Sequence, residues 1–152
     1  MPIKVKLVQN QRFNSRAEIG DLLGGNLMNG ITASSKLNAM LLFTNEEKLY
    51  ADYFYTKGTY DNCLYTGIGR RGHQDSLSNK TYALNVDVLS HKKDKRSLLV
   101  FEKRESKYYF IGEYELVETH QNIQPDADNN LRRVFVFHIK KLADVFSAQI
   151  SQ

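Results

Sequence analysis

Apolar and basic side chains alternate over residues 3–8, with Ile3, Val5 and Leu7 set against Lys4 and Lys6. This period-two pattern predicts a strand with one buried face. Asn14 or Ser15 then offers an N-cap, and Ile19, Leu22 and Leu23 share one stripe of a short helix over residues 16–23 that Gly24-Gly25 ends. A polar link over residues 32–38 leads to Ala39-Met40-Leu41-Leu42-Phe43, an apolar run too short for an independent helix and suited to a central strand. Residues 44–47 read as a turn. Residues 48–55 and 63–66 read as two strands joined around Lys57-Gly58, and Gly67, Gly69 and Gly72 mark an irregular loop after them.

Residues 78–90 carry Tyr82, Leu84, Val86, Val88 and Leu89. A helix after a Ser78-Asn79 cap is the preferred reading, although the β-branched residues also allow a strand. Strands follow over residues 97–102 and 108–117, paired across a turn at Ser106. Residues 124–130 are turn material. Residues 132–139 are apolar on both faces and predict another central strand. Residues 142–150 read as one or two amphipathic helical turns, with Leu142, Val145, Phe146 and Ile150 inward. About seven strands and two or three helices imply an α+β fold, a curled, mostly antiparallel sheet or open barrel with flanking helices.

Composition narrows what such a fold does. The 152 residues show no compositional break, so residues 1–152 are expected to form a single domain, and 41% apolar with 25% charged residues is ordinary globular material. No apolar run approaches the roughly 20 residues of a membrane helix, and the N-terminus lacks a signal-peptide core. A cytoplasmic protein without membrane contact is expected. Cys63 is the only cysteine, which excludes an internal disulfide and a thiolate zinc cluster and suits a buried filler. His73, His91, His120 and His138 show no metal-ligand spacing: His138 reads as a core-strand histidine and His120 as a strand end. No Gly-x-Ser-x-Gly elbow or poised carboxylate pair occurs, so no catalytic residue and no cofactor or metal is assigned. Gly67-Ile68-Gly69-Arg70-Arg71-Gly72 only imitates a dinucleotide fingerprint, lacking the βαβ unit that motif needs. A net charge of +4, with basic pairs such as Arg70-Arg71, Lys92-Lys93 and Arg132-Arg133, is compatible with nucleic acid.

What remains is the stretch over residues 50–79. Tyr50, Tyr53, Phe54, Tyr55, Tyr60 and Tyr65 precede the glycine-rich basic loop, setting flat aromatic faces beside a cationic backbone that suits a planar, phosphate-bearing ligand. The plainer alternative is sheet and core packing.

Tyr50-Ala51-Asp52, then Tyr65-Thr66-Gly67-Ile68-Gly69, Gly72-His73-Gln74 and Asn79-Lys80-Thr81-Tyr82-Ala83-Leu84, resemble the motifs of the SRA or YDG domain in its compact bacterial form. These are Tyr-x-Asp, Tyr-Thr-Gly-x-Gly, Gly-Asp-Gln and an Asn-x-Ala-Leu-like helix start. Gly24-Gly25 and Gly30-Ile31 upstream, and the strands around Phe101, Phe110 and Phe135 downstream, extend the resemblance over residues 16–142. It is similar above all to the reader domain of McrA-type, modification-dependent restriction endonucleases, a PUA-like module that precedes an HNH nuclease. No such nuclease is present in the chain, so the domain is expected to bind and not to cleave, with a nuclease fused or partnered outside it.

The resemblance implies a double-stranded DNA partner whose modified base, 5-methylcytosine or 5-hydroxymethylcytosine, flips into an aromatic pocket. Tyr65 and Tyr50 or Phe54 would stack on it, Asp52 would accept from cytosine N4, and Tyr53, Thr66 and Gly67 would complete the pocket. Gly69, Arg70, Arg71, His73, Gln74, Asn79 and Lys80 would meet the DNA backbone. Each has a plainer alternative: Asp52 capping turn amides, Tyr65 in the core, Arg70-Arg71 in a solvated loop. Tyr53-Phe54 stand where the family has glycine and tryptophan, and His73 replaces its acid, which leaves pocket size and the modification open. Alternatives are a PUA-like module for RNA, N6-methyladenine or phosphorothioate, and a small nuclease holding magnesium with Asp52 and Asp61 or Asp75. A homodimer is also allowed.

Overall fold

The structure, a computed structural model, describes residues 3–45, 53–54, 60–76 and 81–150. Within them the elements run β1 (Ile3–Val8), β2 (Arg12–Phe13), α1 (Arg16–Leu23), β3 (Ile31–Ala33), β4 (Ala39–Asn45), β5 (Tyr53–Phe54) and β6 (Asn62–Thr66). They continue with α2 (Tyr82–Leu89), β7 (Ser97–Arg104), β8 (Lys107–Pro125), β9 (Leu131–Ala143) and β10 (Val145–Ile150). The main sheet has the order β3-β4-β7-β8-β9-β6-β5, with β2 added against β8, and it curls without closing. All its neighbours are antiparallel except β4 and β7. A separate ribbon pairs β1 with β10.

The apolar runs are central for a simple reason: both faces of their strands are covered. Met40 and Leu42 of β4, with Leu98 and Val100 of β7, pack into a cluster that includes Val88 of α2. Leu41, Phe43, Leu99 and Phe101 point the other way, against Ile19 and Leu23 of α1 and Val5, Leu7 and Ile150 of the ribbon. Alternating side chains of one strand thus feed two cores. Helix α1 starts as predicted: Ser15 Oγ accepts from the Glu18 amide (3.2 Å), Glu18 Oε2 accepts from the Asn14 amide (2.9 Å), and Gly24 ends the helix at φ 76°. Cys63 is buried in β6, and His138 lies in β9 with Nε2 at 3.0 Å from Asn62 Oδ1.

The structure corrects the reading in four places. Residues 145–150 form strand β10 and not helical turns, pairing with β1 from Ile3↔Ile150 to Val8↔Val145. Phe146 and Ile150 do turn inward, but Val145 (45% exposed) faces solvent because β1 supplies a ladder partner and imposes period two, and Leu142 (55%) lies before this strand, at the exposed end of β9. β8 continues through Gln124 and Pro125, well past Val117. Its outer half is polar on both faces and is held by pairing to β9, from Glu118↔His138 to Pro125↔Leu131, so no alternation announced it. His120 therefore lies inside β8. β2 and β3, of two and three residues, went unread for lack of length. Thr81 is the N-cap of α2, its hydroxyl donating to Ile68 O (3.2 Å) and not accepting from the helix, and the Ser78-Asn79 cap lies outside the described residues, as does most of the strand expected over residues 48–55. No described helix is long and apolar enough to cross a membrane, which says nothing of a β-barrel.

His91 ties the end of α2 to β8. Its Nδ1–H donates to Arg96 O (2.9 Å) and its Nε2 accepts from the Leu116 amide (3.0 Å), so the buried ring works as a neutral imidazole. Burial pushes its pKa below the ordinary 6.5. The unfolded chain therefore takes up this proton first as pH falls, and His91 contributes stability that is fully present above pH 6.5 and lost below it. Urea unfolding between about pH 5 and 7.5 should show this downward slope, and His91→Gln should reduce it.

Candidate nucleic-acid interface

The glycine-rich loop after β6 is held by side chains that act as backbone. Gly67 extends the β6 ladder, its amide donating to Phe135 O (2.8 Å), while Gln74 Nε2 donates to Gly67 O (2.6 Å) and Gln74 Oε1 accepts from the Phe135 amide (2.9 Å). Asn85, from the buried face of α2, closes a two-bond ring on Ile68: Oδ1 accepts from its amide and Nδ2 donates to its carbonyl, both at 2.9 Å. Space explains the glycine. A Cβ at Gly67 would lie 2.7 Å from Asn85 Oδ1 and 2.8 Å from Gln74 Oε1.

The next turn is fixed from the β8–β9 hairpin. Arg132, fully buried, donates from Nη1 to Gly69 O and Gly72 O, and Asp126 Oδ2 accepts from the Gly72 amide (3.3 Å). Asp126 Oδ1 also accepts from the amides of Asp128 (2.8 Å) and Asn130 (3.0 Å). Backbone donors, that of Asn130 first, hold this carboxyl below its ordinary pKa. The Ala127 amide donates to Arg70 O (2.8 Å).

This pinned loop forms one wall of an open cavity of about 510 Å³. Ile68, Gly69, Arg70 and Thr81 stand on that side. Phe43, Thr44 and Asn45, from the end of β4, lie with Gly30 at its base, and Arg16, Lys103, Tyr108, Met28 and Asn29 complete it. Phe43 and Tyr108 meet edge to face at 5.9 Å. The Arg16 guanidinium lies 3.5 Å over the Phe43 ring, and its Nη2 donates to Asn26 O (2.7 Å) and Asn29 O (2.9 Å). Lys103 Nζ is 5.9 Å from the centre of the Tyr108 ring. The described lining thus holds three cations and no carboxylate.

The sequence-predicted residues divide into four groups. Gly69 and Arg70 line the cavity. Tyr65, Thr66, Gly67 and Gln74 stand behind its wall: Tyr65 is 0% exposed, with its hydroxyl 2.9 Å from Gly30 O and 2.8 Å from Phe43 O, so it braces the base of the cavity as a core tyrosine. Gln74, expected at the DNA backbone, is buried, and both ends of its amide are engaged within the fold. Arg71 is exposed and paired with Asp128 (2.8 Å), and His73 accepts at Nδ1 from the Arg133 amide (2.9 Å). Tyr50, Asp52, Asn79 and Lys80 lie outside the described residues, as do the side chains of Tyr53 and Phe54. Of the carboxylates weighed for magnesium, Asp75 is gripped by Arg133 (3.0 Å) and Gln121 (3.0 Å), and the Arg133 bond holds its pKa down. Asp61 begins the β6 edge, where its carbonyl accepts from the Lys141 amide (2.9 Å).

Sequence reasoning missed Arg16, Phe43, Lys103 and Tyr108. Arg16 read as a helix residue and Phe43 as core. The parallel pairing of β4 with β7, Asn45 opposite Lys103, and the antiparallel pairing of β7 with β8, Lys103 opposite Tyr108, bring Phe43, Lys103 and Tyr108 together.

The family model described as "ScoMcrA-like, SRA domain" matches residues 9–150. The chain belongs to this SRA family. Among solved structures, the sulfur binding domain and SRA domain of ScoMcrA complexed with phosphorothioated DNA aligns at a TM-score of 0.67 with 20% identity, over 88% of this chain and 39% of that one. The SRA domain of SUVH5 in complex with methylated CHH DNA aligns at 0.63 with 16% identity, over 90% and 89%. The DNA modification-dependent restriction endonuclease AspBHI aligns at 0.69 with 13% identity, over 93% and 79%. At these identities the likeness is one of fold. The chain spans 39% and 28% of the two ScoMcrA structures. A search of curated proteins finds no match.

The SRA loop here depends on Gln74. Gln74→Ala would leave Gly67 O and the Phe135 amide without their side-chain partner in a dry site, and should cost about 2–4 kcal/mol in chemical denaturation.

Proposed function

We propose that this SRA domain reads a modified base in double-stranded DNA, 5-methylcytosine or 5-hydroxymethylcytosine, drawing the nucleotide out of the helix and into the cavity. The observation that carries the reading is the cavity itself: about 510 Å³, aromatic at its base, with Arg70 and Lys103 lining it and no carboxylate among its described residues. This volume lies within the roughly 300–1,000 Å³ of small-molecule sites, and chemistry or inspection at a base edge requires extrusion from the stack. SRA structures with methylated DNA bound support the same reading.

Each part has a physical role. Tyr108 offers apolar ring surface to a planar base, Phe43 carries the Arg16 guanidinium that lies over its ring, and Arg70 and Lys103 neutralise phosphates beside the base. Met28, 87% exposed beside the cavity, can occupy the gap that an extruded base leaves in the stack. Asp52 remains the proposed acceptor for cytosine N4, which would choose cytosine over thymine. The domain would serve as the targeting half of a modification-dependent restriction system, with its nuclease in the same or another chain. A second reading, recognition of a phosphorothioate, is favoured by the ScoMcrA fragment whose sulfur binding domain and SRA domain were solved with phosphorothioated DNA.

Fluorescence anisotropy with matched duplexes tests this. A 5-methylcytosine or 5-hydroxymethylcytosine duplex should bind at least about tenfold tighter than its unmodified twin. Equal affinities would sink the base reading, and a preference for phosphorothioate alone would transfer it to the second. Replacing Arg70 and Lys103 together by alanine should weaken all duplexes alike and flatten the salt dependence by about two units of slope.

A further inference from the structure

The Arg16 guanidinium occupies the cavity in an unusual state. Burial is the main influence on it and lowers its pKa, and it lies flat on Phe43 at 3.5 Å. Only Nη2 is hydrogen-bonded, to Asn26 O and Asn29 O. Nε and Nη1 make no hydrogen bond to any described residue, and no described carboxylate is paired with the side chain. A half-buried cation without a counter-charge loses part of its hydration, which costs free energy unless something else compensates it. Carbonyl dipoles offset part of that cost and fix the orientation of the guanidinium plane, so two donor groups are held ready beside a cavity that Arg70 and Lys103 also line.

We propose that Arg16 is the centre of an oxyanion subsite within the cavity, which takes a carboxylate or phosphate oxygen of the inserted nucleotide. The proposal rests on the reader function above and adds to it a specific chemistry. Such an oxygen has two sources. It belongs either to the phosphate flanking the extruded base or to an anionic 5-substituent, as in 5-carboxylcytosine. Nη2 is shared by both forks of a guanidinium and is taken by the two carbonyls, so Nε and Nη1 would each donate singly to such an oxygen, whereas a methyl group offers them nothing.

The full chain is compared with Arg16→Gln and Arg16→Lys, the first removing the charge and the second keeping it without the planar guanidinium that the two carbonyls orient. Melting temperature is read in inorganic phosphate against chloride at equal ionic strength. Phosphate should raise it in the wild type, less in Arg16→Lys, and not at all in Arg16→Gln. Because this arm uses no DNA, it stands even where modified and unmodified duplexes bind alike.

Duplex titrations then separate the sources. If the flanking phosphate is the ligand, a methylphosphonate at that linkage should weaken wild-type binding roughly 10- to 100-fold and leave Arg16→Gln unaffected. If the base carries the oxyanion, 5-carboxylcytosine should bind about tenfold or more above 5-methylcytosine, and Arg16→Gln should erase that preference. A phosphate shift and DNA preferences that survive intact in an Arg16→Gln protein with wild-type circular dichroism would overturn the proposal.

Discussion

The geometry of this domain depends on a main-chain loop that has no ladder of its own. Once the chain leaves β6, Gly67 and Ile68 run through the interior between α2 and β9, where an unmet amide or carbonyl would be expensive. Gln74 and Asn85 meet those groups with the same donor–acceptor pairs a neighbouring strand would offer, and Arg132 adds a buried cation against two further carbonyls. Three elements therefore converge on one turn: the loop's own return, the helix and the hairpin. A wall built this way is stiff, so a ligand in the cavity would meet an organised surface with little ordering left to do.

Topology supplies the opposite side. β4 and β7 are buried on both faces and can contribute to a site only where they end. Because the two run parallel, both ends emerge together, and the register that sets Asn45 beside Lys103 delivers polar and cationic side chains to the place where Phe43 closes the core. An antiparallel pairing would have sent Lys103 to the far end of the sheet. The single parallel pair in an otherwise antiparallel sheet is thus what joins ring surface to positive charge.

Much of this was legible in the chain. The apolar runs gave the central strands because two-sided burial leaves a continuous signal, and Ser15 with Glu18 gave the first helix because capping chemistry is local. Residues 145–150 were misread because Leu142, Val145, Phe146 and Ile150 satisfy a helical stripe as readily as a strand, and the deciding fact, a partner in β1, lies some 140 residues away in sequence. The site was legible in part. Of the residues the motif singled out, Gly69 and Arg70 line the cavity, while Tyr65 and Gln74 are buried and hydrogen-bonded behind it. A motif records which residues a loop needs; it does not separate those that face the ligand from those that hold the loop in place.

Charge shows the same limit and resolves it. Arg70 and Arg71 are adjacent in sequence, but Arg71 is drawn to Asp128, while Arg133 is drawn to Asp75 and Arg132 lies beneath the loop. The acids of the hairpin tip and loop thus engage the neighbouring arginines, and Arg70, Lys103 and Arg16 make no ion pair with any described residue. A formal charge of +4 is too small to imply a partner. It gains meaning from this sorting, because Arg16, Arg70 and Lys103, three cations with no ion pair to a described residue, share one cavity.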